Sequence, residues 1–183
     1  MIPCTTRQDL LTNLAKLKKI IPDAQILTPH MSDRMPDSGN KINNHLQGVL
    51  QHTDESQGIK MGKFWLRVND PVIVTQNSHE HNLFNGNTGV TSIDGEVAGL
   101  FTINGTEVTL SRMDLFLLGM KLAYAISIHK AQGSEYQTSI ICSLSQSEFV
   151  ERSMLYTGIS RKAIGSDFEH ARNCAAWGCS PES

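Results

Sequence analysis

The sequence predicts an α/β fold interrupted by a small antiparallel β barrel, and three observations carry that reading. Helix, turn and buried strand follow one another from Thr6 to Thr28, which is the rhythm of an α/β domain. A second buried strand and an amphipathic helix return in the last third, at Thr138 to Leu144 and Glu148 to Arg161. Between them, short apolar runs alternate with the dipeptides Asn85-Gly86, Asp94-Gly95 and Asn104-Gly105. Such dipeptides suit type I′ hairpin turns, which need positive φ at both central residues.

Composition bounds the possibilities. A chain of 183 residues suffices for one domain with a proper core and a small insertion. A hydrophobic fraction of 39% and a charged fraction of 19% describe an ordinary globular chain. The net charge of -2 excludes a general attraction to nucleic acid, so any such contact must be local. No run approaches the ~18 apolar residues of a membrane span, and no signal-peptide core follows Met1. The expectation is a cytoplasmic protein without membrane contact. Cys4, Cys142, Cys174 and Cys179 lack zinc-site spacing and are expected to be free thiols.

Taken in order, Thr6 to Ile21 reads as a helix capped by Thr5 or Thr6, with Leu10, Leu11, Leu14, Leu17 and Ile20 or Ile21 on one stripe. Pro22-Asp23 breaks it, and Ala24 to Thr28 is a short strand ended by Pro29. Pro29 to Asn40 is loop, Ile42 to Leu50 is helix, and Asp54 to Gly62 is polar linker. The runs FWLRV, PVIVTQ, NLFNGNTGV, TSIDGEVAGL and FTINGTEVTL then build the barrel between about Lys63 and Arg112. Met113 to Leu122 leads back to the α/β rhythm. Leu122 to Ile128 alternates large and small residues as a strand does, yet Tyr124 and Ile128 also fit one helical face. Ser145 and Glu148 form a capping box for the later helix, which Gly165 ends. Residues 166–183 form an atypical tail with a short helical stretch at Phe168 to Trp177.

Chemistry concentrates in Leu122 to Tyr136, LAYAISIHKAQGSEY. His129, Lys130 and Gln132 supply donors, and Gly133 admits close backbone approach, so the turn has the means to bind a phosphate. Glu135 can accept from a ribose hydroxyl, and Arg161 can stabilise charge on a phosphoryl group. On the residues alone, a phosphate site and a merely polar turn with a surface arginine both stand. His79 and His81 flank Glu80 and read as a solvated loop rather than metal ligands. No nucleophile–base pair stands out, and no metal site is expected.

AYAISIHKAQGSEY (Ala123 to Tyr136) followed by LYTGISR (Leu155 to Arg161) resembles motifs V and VI of superfamily 1 DNA helicases, in the RecD-like branch that includes the alpha subunit of exodeoxyribonuclease V. QILTPH (Gln25 to His30) with GNKINNHLQ (Gly39 to Gln47) resembles the motif IV region. FWLRVNDPVIVTQN (Phe64 to Asn77) with NGNTGV (Asn85 to Val90) resembles that branch's SH3-like insertion. The resemblance covers roughly Ala24 to Lys162. It implies a RecA-like second motor domain at 1–62 and 113–165, partly truncated, with an inserted SH3-like β barrel at 63–112. It implies that Gln132, Gly133 and Glu135 couple nucleotide to DNA track, and that Ser127, His129 and Thr28 contact single-stranded DNA beside Lys130. Arg161 matches the arginine that reaches the γ-phosphate.

The departures bear on activity. The family's P-loop, G-x-x-x-x-G-K-[ST], is missing, and Gly62-Lys63-Phe64 puts Phe where the Mg²⁺-ligating hydroxyl belongs. ATP and Mg²⁺ are therefore expected only in a complete two-domain assembly, whose partner is a P-loop-bearing first motor domain or subunit. The chain reads as the C-terminal motor portion of an ATP-dependent DNA helicase that does not hydrolyse ATP alone. The alternative is a stand-alone nucleic-acid-binding or regulatory module, or an inactive helicase remnant.

Overall fold

A computed structural model describes residues 4, 6–35, 37–51, 58–62, 64–93, 98–103, 105–132, 134 and 136–142. The chain divides into two compact units, Met1–Leu46 with Ala125–Ser183 and Gln47–Tyr124.

The first unit begins with α1 (Arg7–Ile20). Thr6 caps it: its hydroxyl accepts from the Asp9 amide, and the Asp9 carboxylate accepts from the Thr6 amide, each at 3.1 Å. This reciprocal box satisfies two amides that the first helical turn leaves over. The helix buries Leu10, Leu11, Leu14 and Ala15, each leucine worth roughly 2 kcal/mol of apolar burial. Of Ile20 or Ile21, expected to close that stripe, Ile20 is 75% exposed and Ile21 is half-buried. At the other end Lys18 donates to the Ala24 carbonyl at 2.9 Å, fastening the chain into the first strand.

β1 (Gln25–Thr28), β9 (Ala125–Ser127) and β10 (Ser139–Ile141) form a parallel sheet in the order β10-β1-β9. Ile26, Leu27, Ile126, Ile140 and Ile141 are all buried, as parallel strands covered on both faces require. Leu27 pairs with both Ile126 and Ile141. Parallel neighbours need a long crossover. Between β1 and β9 the chain runs through α2 (Gly39–Leu50) and the whole of the second unit.

Leu122 to Ile128 does not form one strand. β8 (Lys121–Leu122) pairs antiparallel with β4 (Pro71–Ile73), whereas β9 joins the parallel sheet. Ala123 to Ile126 are buried throughout, so the large–small alternation marks packing on both sides rather than one continuous half-exposed strand. α2 begins at Gly39, earlier than expected from the apolar pattern.

In the second unit β5 (Thr88–Ile93), β6 (Ala98–Ile103) and β7 (Thr106–Ser111) complete an antiparallel sheet in the order β7-β6-β5-β4-β8. This order is linear, with β7 and β8 at its edges among the described residues. A separate hairpin joins β2 (Ile59–Met61) to β3 (Phe64–Leu66), so the expected linker at 54–62 ends in a strand. The unit reaches further along the chain in both directions than 63–112, because Gln47, Gln51 and Tyr124 join a polar cluster around Asp70.

That cluster is the unit's internal anchor. Asp70 is fully buried, and its carboxylate accepts from the Tyr124 hydroxyl and the Arg67 amide, each at 2.7 Å, and from the Gln47 amide group. Gln51 donates to the Tyr124 hydroxyl at 3.1 Å. A buried carboxylate is tolerable only with such partners. Desolvation nevertheless raises the Asp70 pKa, although these hydrogen bonds oppose it.

The glycine-rich turns differ in kind. Gly105, at φ 79°, lies in the two-residue link between paired Ile103 and Thr106. At Asn85-Gly86 only Gly86 has positive φ, and the Asn87 amide donates to the Phe84 carbonyl at 3.0 Å. That is the pattern of a type II rather than a type I′ turn, set within a longer β4–β5 connection. Asp94-Gly95 falls outside the described residues, as do the expected helix at 148–161 and the tail. α3 (Arg112–Leu117) follows β7, with Ser111 and Asp114 forming its capping box.

Candidate phosphate-binding edge

Thr28 and Ser127 are register partners at the C-terminal ends of β1 and β9. In open α/β sheets this edge is where ligands bind, because loops leaving the strands are free to specialise. The chain leaves Ser127 through a tight turn built on its own peptide groups. The Ile128 amide donates to the Thr28 carbonyl at 3.0 Å, and the Ala131 amide to the Ser127 carbonyl at 3.1 Å. The Ser127 hydroxyl accepts from the Lys130 amide at 3.3 Å, capping the turn from within. Gln132 and Ser134 close it with bonds to the carbonyls of His129 and Ala131.

This geometry sorts the residues. Ile128 and Ala131 are buried and anchor the turn, while His129 and Gln132 are exposed. Ser127 and Lys130 are half-buried. The edge therefore presents an imidazole, a carboxamide and a half-buried lysine, all capable of donating to an anion.

Thr28 differs. Its side chain is fully buried, and its hydroxyl donates to the Asp37 carbonyl at 2.7 Å. The hydroxyl thus faces the protein, tying the loop after β1 to the strand end. The same loop is closed by the Gly39 amide donating to the His30 carbonyl at 2.8 Å. Gly133, Glu135 and Arg161 lie outside the described residues.

Two buried groups beneath the edge were not singled out from the sequence. Cys142 follows β10, and burial pushes its thiol up to about 12, with the Asp37 charge adding to the effect. It is a neutral thiol at ordinary pH and no nucleophile. Asn43 holds the Ala125 backbone from α2. The same helix carries Asn40, Asn44 and Gln47, so nothing in the sequence marks Asn43 out.

Gly62, the glycine of the nearest P-loop imitation, sits at φ 62° in the tight turn between paired Met61 and Phe64. The described residues also include no helix long and apolar enough to cross a membrane.

The described residues thus combine a parallel sheet with a loop-bearing C-terminal edge and a separate antiparallel sheet, a mixed α/β content. Comparison with known proteins agrees. Residues 122–163 match the UvrD-like helicase C-terminal domain. The ATP-dependent RecD2 DNA helicase of Deinococcus radiodurans is 29% identical over 155 residues, which is 84% of this chain and 20% of that protein. The RecBCD enzyme subunit RecD of Buchnera aphidicola subsp. Acyrthosiphon pisum is 34% identical over 108 residues, 55% of this chain and 17% of that one. A Bacteroides Pif1 helicase in complex with ADP-AlF3 and ssDNA superposes with a TM-score of 0.56 at 20% identity, over 84% of this chain and 42% of that one. A Pif1 helicase seen at forked dsDNA gives the same score at 21% identity. The chain is thus related to the C-terminal region of RecD-like superfamily 1 helicases. It spans about a fifth of the length of the curated relatives it matches.

Proposed function

We propose that this chain is the second motor-domain portion of an ATP-dependent RecD-like DNA helicase. The observation that carries the reading is the paired strand ends at Thr28 and Ser127, from which a self-capped turn offers His129 and Gln132 to solvent. Phosphate oxygens are held by donors of this kind at the end of a rigid strand. Ser127, His129 and Lys130 would contact the backbone of single-stranded DNA. Thr28, with its hydroxyl turned inward, would support the edge from below. The motor portion would comprise 1–62 and 113–165, and strands β4 to β7 would belong to an SH3-like insertion at 63–112.

The nucleotide role belongs to an assembly. Gln132, Gly133 and Glu135 would form one side of an ATP site, with Arg161 reaching the γ-phosphate. ATP and Mg²⁺ would be held by a P-loop-bearing first motor domain or subunit, since this sequence carries no P-loop motif. The test is to add the first motor domain of a RecD-like helicase and measure DNA-stimulated ATPase. Activity in the mixture that falls by about 10³ in Arg161→Ala supports the assignment. An active mixture indifferent to Arg161→Ala removes the arginine from the site.

A further inference from the structure

β9 is the outer strand of its sheet, with β1 on one side and, among the described residues, no strand on the other. Alternate residues of such a strand turn their peptide groups away from the neighbour. Ile128 donates back to Thr28, so the peptide groups of Ala125 and Ser127 point outward. Each finds a partner within the chain. The Ser127 carbonyl accepts from Ala131, which closes the turn. The Ala125 amide donates to Asn43 Oδ1 at 2.6 Å, and Asn43 Nδ2 donates to the Ala125 carbonyl at 3.0 Å.

Asn43 is 4% exposed and lies 82 residues from Ala125 in sequence. Its carboxamide carries one acceptor and one donor at the spacing of a peptide group, so it does what a further strand would do. A side chain with only one of these functions leaves a buried peptide group unsatisfied. The clamp is two residues from Ser127, whose carbonyl and hydroxyl build the turn.

We propose that Asn43 is a positioning residue for the turn at 128–132, bonding the outer side of β9 as a neighbouring strand would, so that β9 holds Ser127, His129 and Lys130 at a fixed height on the edge. The proposal rests on the reading of that edge as a phosphate site, and it touches no ligand itself.

Amide hydrogen exchange on the full chain decides it. In the wild-type protein the Ala125 amide is expected to exchange as slowly as that of Ile126, although among the described residues no strand lies on its outward side. Asn43→Ala speeds exchange at Ala125, Lys130 and Ala131 by about tenfold, the expected consequence of losing a buried hydrogen bond, while the α1 amides keep their rates. The same variant weakens binding of a fluorescent oligothymidylate by about tenfold without changing the salt slope, because no phosphate contact is removed. Leu46→Ala, a core truncation on the same helix, sets the level of change due to lost stability alone. Asn43→Asp keeps the acceptor for the Ala125 amide but turns a carboxylate oxygen on the carbonyl, so it relaxes the same amides. A freely exchanging Ala125 amide in the wild type overturns the proposal, even where no variant folds. So does an Asn43→Ala profile matching that of Leu46→Ala. Should the wild type bind no oligonucleotide, the phosphate reading fails, and the exchange data still decide whether Asn43 sets the turn.

Discussion

Tyr124 donates a hydrogen bond of 2.7 Å to the carboxylate of Asp70, 54 residues away in sequence. Both side chains are buried, and the contact ties the segment after β8 to the loop before β4. Asp70 is also held by Arg67 and Gln47, so the contact belongs to a buried polar cluster of the second unit.

Desolvation raises the Asp70 pKa, and Tyr124 opposes the rise. A carboxyl with a raised folded pKa contributes most below its unfolded pKa and loses that contribution as pH rises through the folded value. Tyr124→Phe removes a donor that favours the ionised form. We therefore expect it to cost about 1–3 kcal/mol near neutral pH and less at acidic pH, below the raised folded pKa, where the carboxyl takes up its proton. Urea midpoints at the two pH values check this, and equal losses at both would count against the assignment.

The cap of α3 runs the other way. The Ser111 hydroxyl holds the Asp114 pKa down, with His81 adding at 3.4 Å. A depressed carboxyl contributes above its unfolded pKa, and the contribution is lost as pH falls through the folded value. Ser111→Ala should cost about 1 kcal/mol at neutral pH. The difference from wild type should shrink on acidification, and a difference independent of pH would mean that the cap is not ionised.

Gly89 sits where β5 meets β6. A Cβ there would press on the Thr102 carbonyl oxygen and stand 2.8 Å from the Ile103 Cα. Both are backbone atoms of a paired strand and cannot swing aside. Gly89→Ala is expected to destabilise the second unit by about 1–3 kcal/mol, read as a lower thermal midpoint, whereas Gly48→Ala meets nothing within 4 Å and serves as the control.

These contacts mark where the sequence could be read and where it could not. α1 was legible because Thr6, Asp9 and the leucine stripe are local signals within a few residues of one another. β1 and β10 were legible as short apolar runs of an α/β rhythm, whereas the parallel pairing of β1 with β10 and β9 came from the structure. The break between Leu122 and Ala125 was not, since both sides are buried and alternation looks the same in either sheet. β2 escaped because a three-residue strand, Ile-Lys-Met, carries almost no pattern. At the edge, His129 and Gln132 were visible as polar residues in a turn. Thr28 looked equally available, and only the Asp37 carbonyl, nine residues on, shows where its hydroxyl is committed. The Asn43 clamp spans 82 residues and has no local signature at all.

The central claim is that the edge at Ser127 to Gln132 binds single-stranded DNA. The most direct measurement is a titration of fluorescent oligothymidylate at several salt concentrations, comparing wild type with His129→Ala/Lys130→Ala. The account predicts sub-millimolar binding that weakens with salt, with the double variant about tenfold weaker and its log–log salt slope lower by about 0.7 for the lost lysine. Absence of binding at low salt, or a double variant with the wild-type affinity and slope, would contradict it.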